Sequence, residues 1–187
     1  MMESIINSFS NAVRMYPNKC GVRDKNGIYS YHMLDVHSNK IANFIIEECN
    51  NQGINIESNI NKGKNGERIG IVMPRAKEFI VVLLGVIKAG CCITIINPSF
   101  PSERKNHIVN DAQCRFVIST SKLDTSDIEG EIFNFEDILE DNFSSKPIDL
   151  SKPDNEGIIL YTSGTTGLSK GVVHPNKFIV STVMDYW

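Results

Sequence analysis

The chain has 187 residues, a formal net charge of -3 and 41% hydrophobic side chains. That is enough apolar material for the core of one domain, or of a large piece of a bigger one, and it excludes wholesale disorder. The slight acidic balance gives no electrostatic footing for nucleic acid or for an anionic membrane surface.

The amino terminus, Met1-Met2-Glu3-Ser4, has no basic stretch followed by an apolar one, so no secretory signal is read there. Ile5, Ile6, Phe9 and Val13 recur at helical spacing until Pro17 stops the segment. Short strands at 21–23 and 28–30 flank Lys25-Asn26-Gly27, whose Asn-Gly pair is a strong hairpin signal. A long helix follows from about Tyr31, capped by Ser30, with Leu34, Ile41, Phe44 and Ile45 inward, and it ends near Gly53. Residues 50–67, rich in Asn, Gly and Lys, read as a solvated loop.

A β/α rhythm then sets in: strand 68–73, helix 76–89, strand 91–96, helix 102–111, strand 115–119. After a polar, acidic stretch come a short strand at Ile132-Phe133, a helix near 136–140 and an apolar strand at 157–161. Apolar strands alternating with amphipathic helices predict an α/β layered domain with a largely parallel sheet. The run 79–96 is nearly as long as a bilayer span of ~18–20 residues. Lys88 in its middle and Gly90 before the β-branched Ile93-Thr94-Ile95-Ile96 favour a buried helix and a buried strand over a membrane span.

Five cysteines, Cys20, Cys49, Cys91, Cys92 and Cys114, are odd in number and irregularly spaced, without a CxxC or Cys/His metal pattern. Free buried thiols in a reducing, cytoplasmic setting are the expectation, and no metal site is expected.

The chemistry is concentrated in Tyr161-Thr162-Ser163-Gly164-Thr165-Thr166-Gly167-Leu168-Ser169-Lys170-Gly171, directly after an apolar strand. Glycines let backbone N–H groups turn toward an anion with no Cβ in the way. The Thr and Ser hydroxyls add neutral donors, and Lys170 adds a point charge suited to phosphate oxygens. A flexible surface loop of the same composition is the bland alternative. The nucleoside-triphosphatase loop G-x-x-x-x-G-K-[ST] does not fit. Counted from Gly164, its second glycine falls on Ser169, and Gly171 follows Lys170 where a hydroxyl is required.

The same string resembles the phosphate-binding motif of the adenylate-forming superfamily, Y-T-S-G-[ST]-T-G-x-P-K-G, with Ser169 where proline is usual. That superfamily includes acyl-CoA synthetases, luciferases and the adenylation domains of nonribosomal peptide synthetases. Lys88-Ala89-Gly90, then Asn97-Pro98-Ser99-Phe100-Pro101-Ser102-Glu103-Arg104, is similar to a second family block, L-K-A-G-x-x-x-x-P-x-x-P-x-E-R. The Asp111-Ala112 pair and the strand Phe116-Val117-Ile118 after it also fit. Tyr29-Ser30-Tyr31-His32-Met33-Leu34 is a weaker match to the first core motif, L-T-Y-x-E-L. The three blocks occur in family order over nearly the whole chain. The P-S-x-E-R form leans toward amino-acid-activating members.

The resemblance implies an acid–thiol ligase that uses ATP and Mg2+. A carboxylic or amino acid attacks the α-phosphate to give an acyl-adenylate and pyrophosphate, and a thiol, phosphopantetheine or CoA, then takes the acyl group. It assigns Thr162, Ser163, Gly164, Thr165, Thr166, Gly167 and Lys170 to the β- and γ-phosphates. Lys170 is a phosphate contact rather than a base, because an exposed lysine stays protonated at neutral pH. His174 is expected to pack or cap, and Pro175 to open a new helix. The family's later motifs, including the substrate pocket and the lysine of the carboxy-terminal lid domain, have no counterpart. Residues 1–187 are therefore read as the amino-terminal part of an adenylation domain, inactive alone and with β-structure at 157–161 short of neighbours. A non-catalytic interaction module, a fatty acyl-CoA synthetase fragment and a nucleotide hydrolase are the alternatives.

Overall fold

The computed structural model describes residues 4–162 and 169–179. In chain order these form α1 (Ile5–Met15), β1 (Cys20–Asp24), β2 (Gly27–Ser30), α2 (Tyr31–Asn51), α3 (Ile56–Asn61), β3 (Arg68–Ile71), α4 (Lys77–Lys88) and β4 (Cys92–Ile95). There follow α5 (Ser102–Asp111), β5 (Phe116–Ser119), β6 (Ile132–Asn134), α6 (Phe135–Glu140), β7 (Glu156–Thr162) and β8 (Lys170–Pro175). Helical backbone resumes at 176–179, so Pro175 closes a strand rather than opening the helix.

Local chemistry sets the ends of these elements. The Ser30 hydroxyl accepts the Met33 N–H at 3.2 Å and starts α2. Gly90, at φ +73°, stops α4 in the left-handed region that a side chain resists. Its missing Cβ also leaves room for Ile60. That contact belongs to α3, a helix inside the stretch expected to be loop. Asn55 caps it by accepting the Ser58 N–H at 2.7 Å, and Ile56 and Ile60, four apart, are buried on one face.

Six strands form the main sheet in the order β6-β5-β3-β4-β7-β8, while β1 and β2 pair separately as an antiparallel hairpin. Strands β3 to β7 run parallel, and β8 returns antiparallel on β7. The period-two alternation of each strand feeds two layers. Ile69, Ile71, Ile93, Phe116 and Ile118 face the larger core with α2, α4 and α6. Val72, Ile96 and Val117 face Ile108 and Val109 of α5 on the other side. The α/β layered class expected from the sequence is what the chain adopts.

The run 79–96 is α4 followed by β4, and among the described residues no helix is long and apolar enough to cross a membrane. Lys88 is 2% exposed, its ammonium donating to Asp35 (2.7 Å), Ser38 (2.8 Å) and Asn39 (2.7 Å). The cysteines are free, but Cys20 is exposed, contrary to the expectation of buried thiols. Burial pushes the thiols of Cys49 and Cys92 up to about 12, so both stay neutral and unreactive.

Candidate functional site

The glycine- and hydroxyl-rich segment joins two paired strands. Strand β7 lies between β4 and β8, so residues 157–161 are not an unpaired edge as expected from the sequence. The reason is β8, which sequence reading missed. Gly171-Val172-Val173 carries a weak β-branched signal on a strand whose side chains face solvent, so no burial pattern marks it. The pairing runs from Glu156↔Pro175 to Thr162↔Lys170. Thr162 and Lys170 therefore stand opposite each other where the hairpin opens, both exposed. Of the other predicted site residues, Ser163, Gly164, Thr165, Thr166 and Gly167 lie outside the described residues.

The hairpin is fixed below that mouth. Tyr161 Oη donates to Asp111 Oδ2 of α5 at 2.7 Å. Burial first, then this bond, raises the Tyr161 pKa and keeps the phenol protonated. The Tyr161 ring lies across Gly171, where an added Cβ would come within 2.9 Å of its Cζ. On the returning limb, the Ser169 carbonyl lies 2.9 Å from His107 Nε2, also on α5. Ser169 itself is buried, and its hydroxyl has no hydrogen-bond partner among the described residues. At the far end, Arg68 of β3 grips Glu156 through two bonds of 2.8 and 2.9 Å. His174 stacks on Phe178 with ring centroids 4.1 Å apart, the packing role expected of it.

Parallel strands all open their carboxyl ends on one rim of the sheet, the usual place for ligands in open α/β folds. The rim carries the loops after β3, β4, β5 and β7. A cavity of about 440 Å³ there is lined by Met73, Phe79, Ile96, Asn97 and Leu123. A second, of about 400 Å³, lies by Asp24, Arg75, Thr120 and Glu136. Glu136 in the second is taken up by the Thr120 hydroxyl (2.6 Å) and the Ser121 N–H (2.9 Å).

The donor set described at the hairpin mouth, an exposed ammonium and a hydroxyl, suits phosphate oxygens. It does not suit Mg2+, which takes one or two carboxylates beside phosphate oxygens. The carboxylate of β7 is Glu156, already gripped by Arg68. No group of three His, Cys, Asp or Glu among the described residues could hold a metal ion.

The family model for AMP-binding enzymes matches residues 9–187. A plipastatin synthase protein of Bacillus subtilis (strain 168) is 31% identical over 185 residues, 97% of this chain and 5% of that protein. Bacitracin synthase 1 of Bacillus licheniformis is 30% identical over 178 residues, 95% of this chain and 3% of the relative. The chain thus spans a small fraction of the relatives' length. Among solved structures, the AMPPNP-bound nonribosomal peptide synthetase FmoA3 (S1046A) superposes with a TM-score of 0.82 at 22% identity, covering 98% of this chain and 18% of that one. The N-terminal subdomain of Klebsiella oxytoca NpsA gives 0.75 at 18% identity, covering 95% and 43%. These structures share the fold.

Proposed function

Since the chain belongs to the family of AMP-binding enzymes, we propose that it is the amino-terminal part of an adenylation domain, a fragment of an ATP-dependent acid–thiol ligase. The observation that carries this reading is the β7–β8 hairpin, which sets Thr162 and Lys170, two residues of the family's phosphate motif, opposite each other. In the complete enzyme the substrate carboxylate oxygen bonds to the α-phosphorus of ATP as the bond to pyrophosphate breaks. Thr162 and Lys170, with Ser163, Gly164, Thr165, Thr166 and Gly167 between them, receive the charge that builds on the departing β- and γ-phosphates. Lys170 acts as a fixed positive charge and Thr162 as a neutral donor. ATP supplies the leaving group. The one carboxylate among the described residues of this hairpin, Glu156, is held by Arg68 and is not free for Mg2+.

The substrate class is an amino acid, supported by the peptide synthases among the relatives and by the Pro101-Ser102-Glu103-Arg104 block opening α5. The acceptor is a thiol, phosphopantetheine or CoA, and the setting is cytoplasmic. The catalytic cycle needs groups that these residues do not supply. Positioning a carboxylate against the α-phosphate is worth ~7–11 kcal/mol of barrier. Exchange of labelled pyrophosphate into ATP across a panel of amino and fatty acids tests the reading. The isolated chain is expected to give none, while binding pyrophosphate weakly and in a Lys170-dependent way. Robust exchange with any acid would show that 187 residues suffice. Equal pyrophosphate binding by the parent and Lys170→Ala would remove the site.

A further inference from the structure

Helix α5 touches both limbs of the hairpin at its mouth. Asp111 holds the outgoing limb through the Tyr161 hydroxyl at 2.7 Å. His107 holds the returning limb through the Ser169 carbonyl at 2.9 Å. The two residues are four apart in one helix, so they project from the same face, one turn from each other. The His107 and Tyr161 rings meet edge to face with centroids 6.5 Å apart, which joins the two holds into one unit. Gly171 completes it. The bare Cα on the returning strand is what lets the Tyr161 ring lie across β8 and reach Asp111.

Helix α5 is itself rigidly seated. Ile108 and Val109 are buried against Val72, Ile96 and Val117 of the sheet. Lys105 pairs with Asp127 at 2.6 Å, and Arg68 donates to the carbonyl of Ala112 at its carboxyl end. The limbs of the hairpin are thus tied to a body that does not belong to the hairpin. Main-chain pairing alone would leave the mouth, at the end of the ladder, free to fray.

We propose that His107 and Asp111 are positioning residues for the polyphosphate site. They set the separation and tilt of the two limbs, so that Thr162 and Lys170 stand in place before the anion arrives. The proposal rests on the phosphate-site reading of the hairpin. Its physical basis is pre-organisation: each hold removes ordering that the ligand would otherwise have to impose, and affinity rises by that amount. Ser169 is suited to its part, because its carbonyl takes the hold while its side chain is buried beneath the mouth. Neither His107 nor Asp111 touches the anion. They act through Ser169 and Tyr161.

The test is calorimetric titration of the 187-residue chain with inorganic pyrophosphate, with the thermal midpoint of each variant measured alongside. His107→Ala and Asp111→Ala are each expected to weaken binding about 3- to 10-fold, the scale of one net hydrogen bond, with little change in midpoint. His107→Gln keeps an N–H donor and Asp111→Asn keeps an acceptor, so both are expected to recover most of the affinity. Hydrogen exchange at the amides of 169–174 should quicken in the two alanine variants and not in the conservative ones. Parent-like binding by both alanine variants, with binding still lost in Lys170→Ala, overturns the positioning role and leaves the phosphate site standing. Parent-like binding by Lys170→Ala removes the phosphate site, and this proposal with it. Equal losses in alanine and conservative variants, with lowered midpoints, reduce α5 to a structural support and also overturn the proposal.

Discussion

Lys88, on the seam between α2 and α4, commits its ammonium to Asp35, Ser38 and Asn39 at 2.7–2.8 Å and lies 2% exposed. Lys170, at the mouth of the β7–β8 hairpin, faces solvent opposite Thr162. Both lysines sit in segments that match family motifs, yet their surroundings give them opposite work. Burial lowers the Lys88 pKa while the Asp35 bond and charge oppose that, and the outcome is a charge locked into a polar cluster. Such a group ties helices together and has nothing left for a ligand. Among the described residues the Lys170 ammonium meets no partner, so it contributes little to the fold and keeps its N–H groups available. A motif lysine is thus assigned by what already surrounds it.

The comparison breaks most sharply at Lys88. Lys88→Ala leaves Asp35 and the buried Ser38 and Asn39 without their cation, and should cost about 3 kcal/mol. Urea unfolding measures it, and a loss below about 1 kcal/mol would mean that the seam tolerates change as a surface does. Gly85→Ala probes the same seam by volume. A Cβ there would come within 2.5 Å of Ile41 Cγ2, and the overpacking should cost about 1–3 kcal/mol in the same assay.

A smaller effect is expected at the amino end of α4. The Lys77 N–H donates to Asp24 Oδ2 at 3.1 Å and, with the Asn26 N–H, holds the Asp24 carboxyl below its usual pKa. The folded state therefore favours the ionised form. The associated stability is present above the ordinary carboxylate pKa of about 4, and is lost as pH falls through the lower folded value. Thermal midpoints followed from pH 6 downward should fall less steeply in Asp24→Asn than in the parent. The smallest effect on folding belongs to Lys170→Ala, within about 0.5 kcal/mol, although the same change should abolish pyrophosphate binding. A large stability loss there would merge the two regions that the comparison separates.

How much of this was legible in the sequence depended on whether a segment's reason for existing is local. Helix α5 spans Ser102–Asp111, the range its acidic first turn and its spacing indicate. The strands β3, β4 and β5 were found to within two residues because buried parallel strands are continuous apolar runs. Helix α3 was hidden because Ile56 and Ile60 are diluted by Asn and Lys, and Ile60 packs at Gly90, thirty residues on. Strand β8 was hidden because both its faces are largely exposed. At the site, Thr162 and Lys170 could be named from the motif, but their facing pair could not, since it depends on β8. The holds of His107 on Ser169 and Asp111 on Tyr161 join residues 50 or more apart, and no local pattern announces them.

The strand order carries a consequence for the making of the chain. Strand β7 does not settle beside β6, which precedes it, but returns across the sheet to β4, in the register Ile93↔Ile158. During synthesis β3, β4 and β5 emerge together and their pairing can close early, but the outer edge of β4 stays bare until β7 is translated. At ~5–20 residues per second the interval lasts several seconds, during which an apolar strand edge is open to wrong partners. A ribosome-bound chain halted between residues 120 and 155 should therefore recruit a holdase chaperone more strongly than one released past residue 175. Among the described strands the β7–β8 hairpin is made last, and it is also the part that covers the outer edge of β4.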